Sequence, residues 1–164
     1  MIFVTAGTER FPFNRLIRAV DELQESLGGE PVFMQTGTST YKPSCPYEPF
    51  LSYHVFNRKI TEARIVIGHA GAGTLFMCAN LNKVPVMLAR NSALGEHVDN
   101  HQQMLAKNMA AQGRIILAQS EHELPELVLR YDELALGSAN THATESTLML
   151  HLKEILRQHE QTEN

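Results

Sequence analysis

Arg64 to Thr74, RIVIGHAGAGT, is the stretch that leaves this chain least freedom. Ile65, Val66 and Ile67 are β-branched and uninterrupted, the mark of a short strand buried on both faces. Three glycines and a histidine, Gly68, His69, Gly71 and Gly73, follow at once. The next segment, Thr74 to Leu81, is too long for a turn and apolar nearly all round, which predicts a buried helix. A strand, a glycine-rich turn and a helix in that order aim backbone N–H groups and the positive end of a helix at a phosphate.

The flanking sequence repeats the alternation. Ile2–Thr5 reads as a strand broken by Ala6-Gly7-Thr8, and Leu16, Ile17, Val20, Leu23 and Leu27 then fall at helical spacing up to Gly28-Gly29. Val32–Gln35 is a second strand. The connection has crossover length, so the pair is expected to be parallel. Gly37–Pro49 is a loop, Phe50–Leu51 a very short third strand, and Tyr53–Ala63 a helix. Val84–Leu88 and Ile115–Leu117 are further strands, with a helix over His101–Gln112 between them. Ser120-x-x-Glu123 has the capping-box pattern, and Leu124 to Tyr131 continue it as a helix. After a loop at Gly137–Thr141, Leu148, Leu152, Ile155 and Leu156 mark an amphipathic helix over Glu145–Gln158, about 144–160, with a stripe suited to a partner. The expectation is a single domain over 1–164: α/β, a Rossmann-like three-layer sandwich with a mostly parallel sheet.

Charge narrows the ligand. Fourteen Lys and Arg against eighteen Asp and Glu give a net charge of −4, with no basic cluster. That removes the electrostatic case for nucleic acid or for direct binding to an anionic membrane. No apolar run approaches the roughly 18 residues of a membrane span, and MIFVTAGT lacks a charged signal-peptide head. Cys45 and Cys78 fit no metal spacing and suit a reducing, cytoplasmic compartment.

Two clusters are candidates for chemistry. In the first, Gly71 and Gly73 let a backbone approach a ligand, and Thr74 offers a hydroxyl at the helix start. Two isolated glycines serve a tight turn equally well. The dinucleotide fingerprint is incomplete, because Phe76 stands where a third glycine belongs, and no Gly-Lys-Ser/Thr exists for a Walker loop. In the second, Glu96, His97, Asp99, Asn100, His101, Gln102 and Gln103 fall within eight residues. They suit a polyhydroxylated ligand, or else a solvated loop with a helix cap at Asp99 or Asn100. His97 and His101 lie four apart, but no third ligand has a fixed spacing, and no metal site is expected. A lone histidine such as His69 is more often a packing or capping residue than a catalytic base.

Taken together, His-Ala-Gly-Ala-Gly-Thr at 69–74, Val-Pro-Val-Met-Leu-Ala at 84–89 and Leu-Gly-Glu-His-x-Asp-Asn-His-Gln-Gln at 94–103 resemble the C-terminal, donor-binding half of the family 28 glycosyltransferases. The likeness extends to the small separate subunits of bipartite exopolysaccharide and dolichol-pathway enzymes, which Phe-Val-Thr-Ala-Gly-Thr at 3–8 also resembles. It covers roughly Met1 to Val128. The resemblance implies one half of a B-type glycosyltransferase fold that holds a UDP-sugar without metal or other cofactor. It implies that Gly71, Ala72, Gly73 and Thr74 meet the diphosphate, with His69 orienting the turn or contacting phosphate. By the same resemblance Gln102 and Gln103 read sugar hydroxyls with Glu96, Asp99 and His101 as neighbours, and Gly7 and Thr8 border the cleft. Many relatives place an acid three positions after the threonine of the glycine turn, to bind the ribose hydroxyls. Here that position is Met77.

The function this implies is an inverting transferase subunit in polysaccharide biosynthesis, moving a sugar from a UDP-sugar to a lipid-linked saccharide acceptor. The acceptor site and general base belong to the half that this chain lacks. A membrane-anchored, acceptor-binding partner is therefore expected, holding the chain at the cytoplasmic face of the inner membrane, with self-association when that partner is absent. The rival expectation, which Met77 favours, is a non-catalytic enhancer subunit that stabilises a partner transferase.

Overall fold

The computed structural model describes residues 1–139. The predicted terminal helix at 144–160 lies outside the described residues. Among the described residues six strands form one sheet: β1 (Ile2–Thr5), β2 (Val32–Gln35), β3 (Tyr47–Glu48), β4 (Ile65–Gly68), β5 (Val86–Leu88) and β6 (Ile116–Ala118). Their order is β3-β2-β1-β4-β5-β6 and every pairing is parallel. The helices are α1 (Asn14–Leu23), α2 (Tyr53–Glu62), α3 (Ala72–Asn80), α4 (His101–Ala111), α5 (Leu124–Leu129) and α6 (Tyr131–Ala139).

Strand periodicity divides the core into two faces. Ile2, Val4, Ile65, Ile67, Val86 and Leu88 point to the side covered by Leu16, Ile17 and Val20 of α1 and Leu124 and Val128 of α5. The intervening Phe3 and Val66 point the other way, onto Ile60 of α2 and Cys78 of α3, while Met87 packs with Leu75 of α3 and Met109 of α4. The sandwich is thus the α/β, three-layer architecture that the alternation predicts. β1 and β4 are paired neighbours, with Thr5 opposite Gly68. Successive strands leave β1 in one direction to β3, and from β4 onward in the other. The sheet therefore has its topological switch point between β1 and β4, where ligands of open α/β sheets bind.

Several boundaries differ from the sequence reading, each for a visible reason. The third strand is Tyr47–Glu48 and not Phe50–Leu51. Its register comes from backbone bonds to β2, including Met34 N–H to Pro46 O at 3.1 Å and Thr36 N–H to Glu48 O at 3.0 Å, which side-chain hydrophobicity does not report. Phe50–Leu51 instead leads into α2, which Ser52 caps through its hydroxyl at 3.5 Å from Val55 N. The helix after the glycine turn starts at Ala72 rather than Thr74, with Gly71 as its N-cap. Glycine at 73 has discouraged helix on propensity grounds without preventing it. Ser120 makes no side-chain cap: the Glu123 N–H goes to the Ser120 carbonyl at 3.2 Å, and Glu123 Oε2 accepts from Gln119 N–H at 2.8 Å. Finally, α6 runs through Gly137, where a loop is predicted; a side chain at that position would meet nothing within 4 Å, so the glycine marks no special turn.

Candidate functional site

The turns after β1 and β4 meet at the switch point. There the structure opens a cleft of about 1080 Å³, just above the roughly 300–1,000 Å³ typical of small-molecule sites. Gly7, Thr8, His69, Gly71, Ala72, Gly73, Thr74, Asp99, His101 and Gln102 all line it. Residues as far apart in sequence as Gly7 and Gln102 are thereby brought to one surface.

The floor is built by close packing of glycine against one ring. His69 is buried, with Nδ1 3.4 Å from the Thr5 carbonyl oxygen. A Cβ on Gly71 would come to 2.2 Å from its Nε2, and one on Gly7 to 2.5 Å from its Cε1. Gly7 also needs its φ of +79°, and its own carbonyl would lie 2.5 Å from a Cβ on Gly37. Gln35 fastens this stack. Its Nε2 donates to the carbonyls of Gly7 and Pro49, both at 2.8 Å, while its Oε1 accepts from Thr5 Oγ1 at 2.6 Å and Gly7 N–H at 3.2 Å. Sequence reading missed Gln35, although an amide at the end of a buried strand is a signal that something polar is matched there.

Burial pushes the His69 pKa down to about 4, with Arg90 adding to the effect. The ring is thus neutral at physiological pH, and because a carbonyl can only accept, the Thr5 contact places its proton on Nδ1. This makes His69 a spacer between two glycine backbones and a poor base. The unfolded chain binds a proton on this histidine near pH 6.5, whereas the folded one does so only near pH 4. Stability should therefore fall as pH drops from about 6.5 towards 4. Urea midpoints across that window are expected to fall more steeply for the wild type than for His69→Gln, and parallel curves would refute it.

Helix α3 points its start into the cleft. Its first-turn N–H groups, on Ala72, Gly73 and Thr74, have no carbonyl one turn back, and the first intrahelical bond is Leu75 N–H to Gly71 O at 3.1 Å. Ala70 reaches this geometry with φ of +62°, left-handed backbone that a non-glycine residue adopts at a cost of about 1–2 kcal/mol, and its N–H faces Met87 Sδ at 3.3 Å. Among the described residues no Lys or Arg lines the cleft. The helix end is its principal attraction for an anion.

The second cluster divides. Asp99 caps α4 by accepting from His101 N–H at 2.9 Å, which holds its carboxylate below the usual range, and the two imidazoles flank it. His97 precedes the helix and lines the cleft, so the pair four apart is spent on Asp99. Among the described residues no three His, Cys, Asp or Glu side chains are arranged to hold a metal ion. Gln102 lines the cleft with its Oε1 enclosed and without a hydrogen-bond partner among the described residues. Glu96 and Gln103 are not brought in. Glu96 is buried away from the cleft against Arg15, at 2.7 and 2.9 Å, and takes the Asn91 N–H. Gln103 turns back to the Arg90 carbonyl at 3.3 Å. Met77, the position where relatives place an acid, lines the cleft too, together with Leu51, Tyr53 and Phe56, which were unread in the sequence.

Comparison with known proteins follows the same lines. The family model for the glycosyltransferase family 28 C-terminal domain matches residues 1–159. Over 127 residues the chain is 34% identical to the human UDP-N-acetylglucosamine transferase subunit ALG13, a match covering 70% of this chain and 10% of that protein. MurG of Acinetobacter baumannii shares the fold with a TM-score of 0.60 at 19% identity, covering 95% of this chain and 49% of MurG. The UDP-GlcNAc 2-epimerase of Neisseria meningitidis, bound to UDP-GlcNAc, gives 0.57 at 13% identity, covering 92% and 42%. The chain thus spans a tenth of the human relative and less than half of either solved protein.

Proposed function

The chain belongs to the glycosyltransferase family 28 C-terminal domains, and from that premise we propose that it is the donor-binding part of an inverting, UDP-sugar-dependent transferase. The diphosphate lies across the first turn of α3, on the N–H groups of Ala72, Gly73 and Thr74. The sugar faces Asp99, His101 and Gln102, whose enclosed Oε1 takes a hydroxyl proton as its missing donor. As the glycosidic bond breaks, negative charge grows on the departing diphosphate, and the preorganised helix end stabilises it. The neutral, wedged His69 holds the turn and is a positioning residue. The acceptor, a lipid-linked saccharide, and the general base belong to a membrane-anchored partner, which brings this chain to the cytoplasmic face of the membrane. The human relative's description as a transferase subunit supports that division.

Gly73 carries this reading. Gly7 and Gly71 are glycine because His69 fills the space beside them, but a Cβ on Gly73 would meet nothing within 4 Å, and its φ is ordinary. The protein's own packing and backbone do not require glycine there; a ligand against the N–H does. Alanine at this helix position should leave the fold intact or steady it by about 0.5–1 kcal/mol. It should weaken UDP binding tenfold or more in calorimetric titration of the full chain. Equal affinity in Gly73→Ala would overturn the phosphate assignment. The alternative, a non-catalytic enhancer subunit, is favoured by the apolar Met77 on the donor side, and predicts no saturable UDP binding at all.

A further inference from the structure

The two walls of the cleft differ in chemistry, and the difference bears on which nucleoside the site selects. Thr74 and Met77 lie three positions apart on α3, hence on one face, with Met77 about 4.5 Å further along the axis. Met77 is therefore the side chain α3 offers to the group attached to a diphosphate held at its first turn. Beside it stand Leu51, Tyr53 and Phe56, the last fixed edge-to-face on Phe3 at 5.4 Å between centroids. Among the described residues the only polar side-chain group on this wall is the Tyr53 phenol, on a residue 67% exposed. Hydroxyl-matching groups stand on the other wall. A donor with a polyhydroxylated end and a planar, largely apolar end has one orientation that satisfies both.

In that orientation the ribose passes Met77. Rossmann-type sites ordinarily read a ribose 2′-hydroxyl with an Asp or Glu, and a thioether is at best a weak acceptor. Among the described residues two carboxylates line the cleft, and neither is on α3. Glu9 follows β1, and Asp99 precedes α4, engaged by His97 and His101. A site built to bond a hydroxyl rejects the analogue without it by as much as about 10⁴–10⁵, because a buried polar group is left unpaired; a site with no such group has no means of rejection. Resting on the donor-binding reading above, we propose that this cleft does not discriminate at the ribose 2′-position, so that 2′-deoxyuridine diphosphate and its sugars bind on the same footing as their uridine counterparts.

The test is titration of the full chain with UDP and 2′-deoxyuridine diphosphate, repeated on Met77→Glu. The expected result is agreement between UDP and its 2′-deoxy analogue within about threefold in the wild type. In Met77→Glu, UDP should gain a preference of tenfold or more, since the residue is only partly buried and faces the cleft. Binding of UDP tenfold or more tighter than the deoxy analogue in the wild type would overturn the inference while leaving the donor-binding reading standing. A Met77→Glu variant that shows no preference would remove Met77 from the ribose site. No saturable binding of either would overturn the donor-binding reading and this inference with it.

Discussion

Arg90→Met is expected to cost the fold about 3–5 kcal/mol. The guanidinium is 1% exposed and sits where three loops converge. Its Nη1 donates to the carbonyls of Phe11 and Glu96, both at 2.8 Å, and Nη2 to that of Ala6 at 2.6 Å, while its plane lies 4.8 Å from the Phe13 ring centroid. Its partners are carbonyls rather than a carboxylate, and burial lowers its pKa from the ordinary arginine value. Apolar replacement of a buried charge is often harmless when all partners are replaced together. Here the three carbonyls stay behind, each costing about 1–3 kcal/mol if left without a donor. Methionine keeps much of the volume, so the loss reads hydrogen bonds and not a cavity. The denaturation midpoint in urea measures it, with the slope unchanged. A midpoint shift equivalent to less than about 0.5 kcal/mol would show that the loops hold their positions without Arg90.

That arginine is also an instance of what the sequence does not display. The uninterrupted β-branched runs at Ile65–Ile67 and Ile2–Thr5 disclose buried parallel strands, because burial on both faces leaves no polar alternation. From strand order it then follows that Gly7 and the 69–74 turn open on one side of the sheet. Which polar residues face the cleft does not follow. Glu96 is drawn inward by Arg15, 81 positions away, and no local pattern records such a partner. Gln102 and Gln103 are adjacent, yet one residue is a rotation of about 100° on a helix; even with α4 starting at His101 as predicted, no local pattern records which of the two its packing turns to the cleft. The third strand shows the same limit. Two residues between Pro46 and Pro49 pair by backbone bonds alone, and the more apolar pair beside them drew the prediction.

Gly71→Ala should cost about 3–4 kcal/mol, and the cost should depend on His69. The backbone at Gly71 has φ of −72° and ψ of 139°, which alanine adopts without strain. Loss of glycine at an N-cap accounts for only a minor part. The remainder is collision, because the new Cβ would stand 2.2 Å from His69 Nε2 and 2.9 Å from Cδ2. The ring cannot retreat, since the Gly7 backbone packs on its far side and Gln35 holds Gly7 by both its N–H and its carbonyl. Overpacking of a rigid site costs about 1–3 kcal/mol and occasionally more. His69→Ala alone is also destabilising, through the cavity it opens. In the double variant the methyl introduced at position 71 enters that cavity, so adding Gly71→Ala to His69→Ala should cost less than about 1 kcal/mol. A coupling of about 2 kcal/mol or more is large for two contacting residues and is read directly from a double-mutant cycle of urea midpoints. If Gly71→Ala costs the same in both backgrounds, the ring does not set the glycine requirement, and the N-cap conformation of α3 must set it instead. Gly7→Ala supplies the internal comparison. It meets the same ring, but its φ of +79° remains unfavourable for alanine once the ring is gone, so His69→Ala should rescue it only in part.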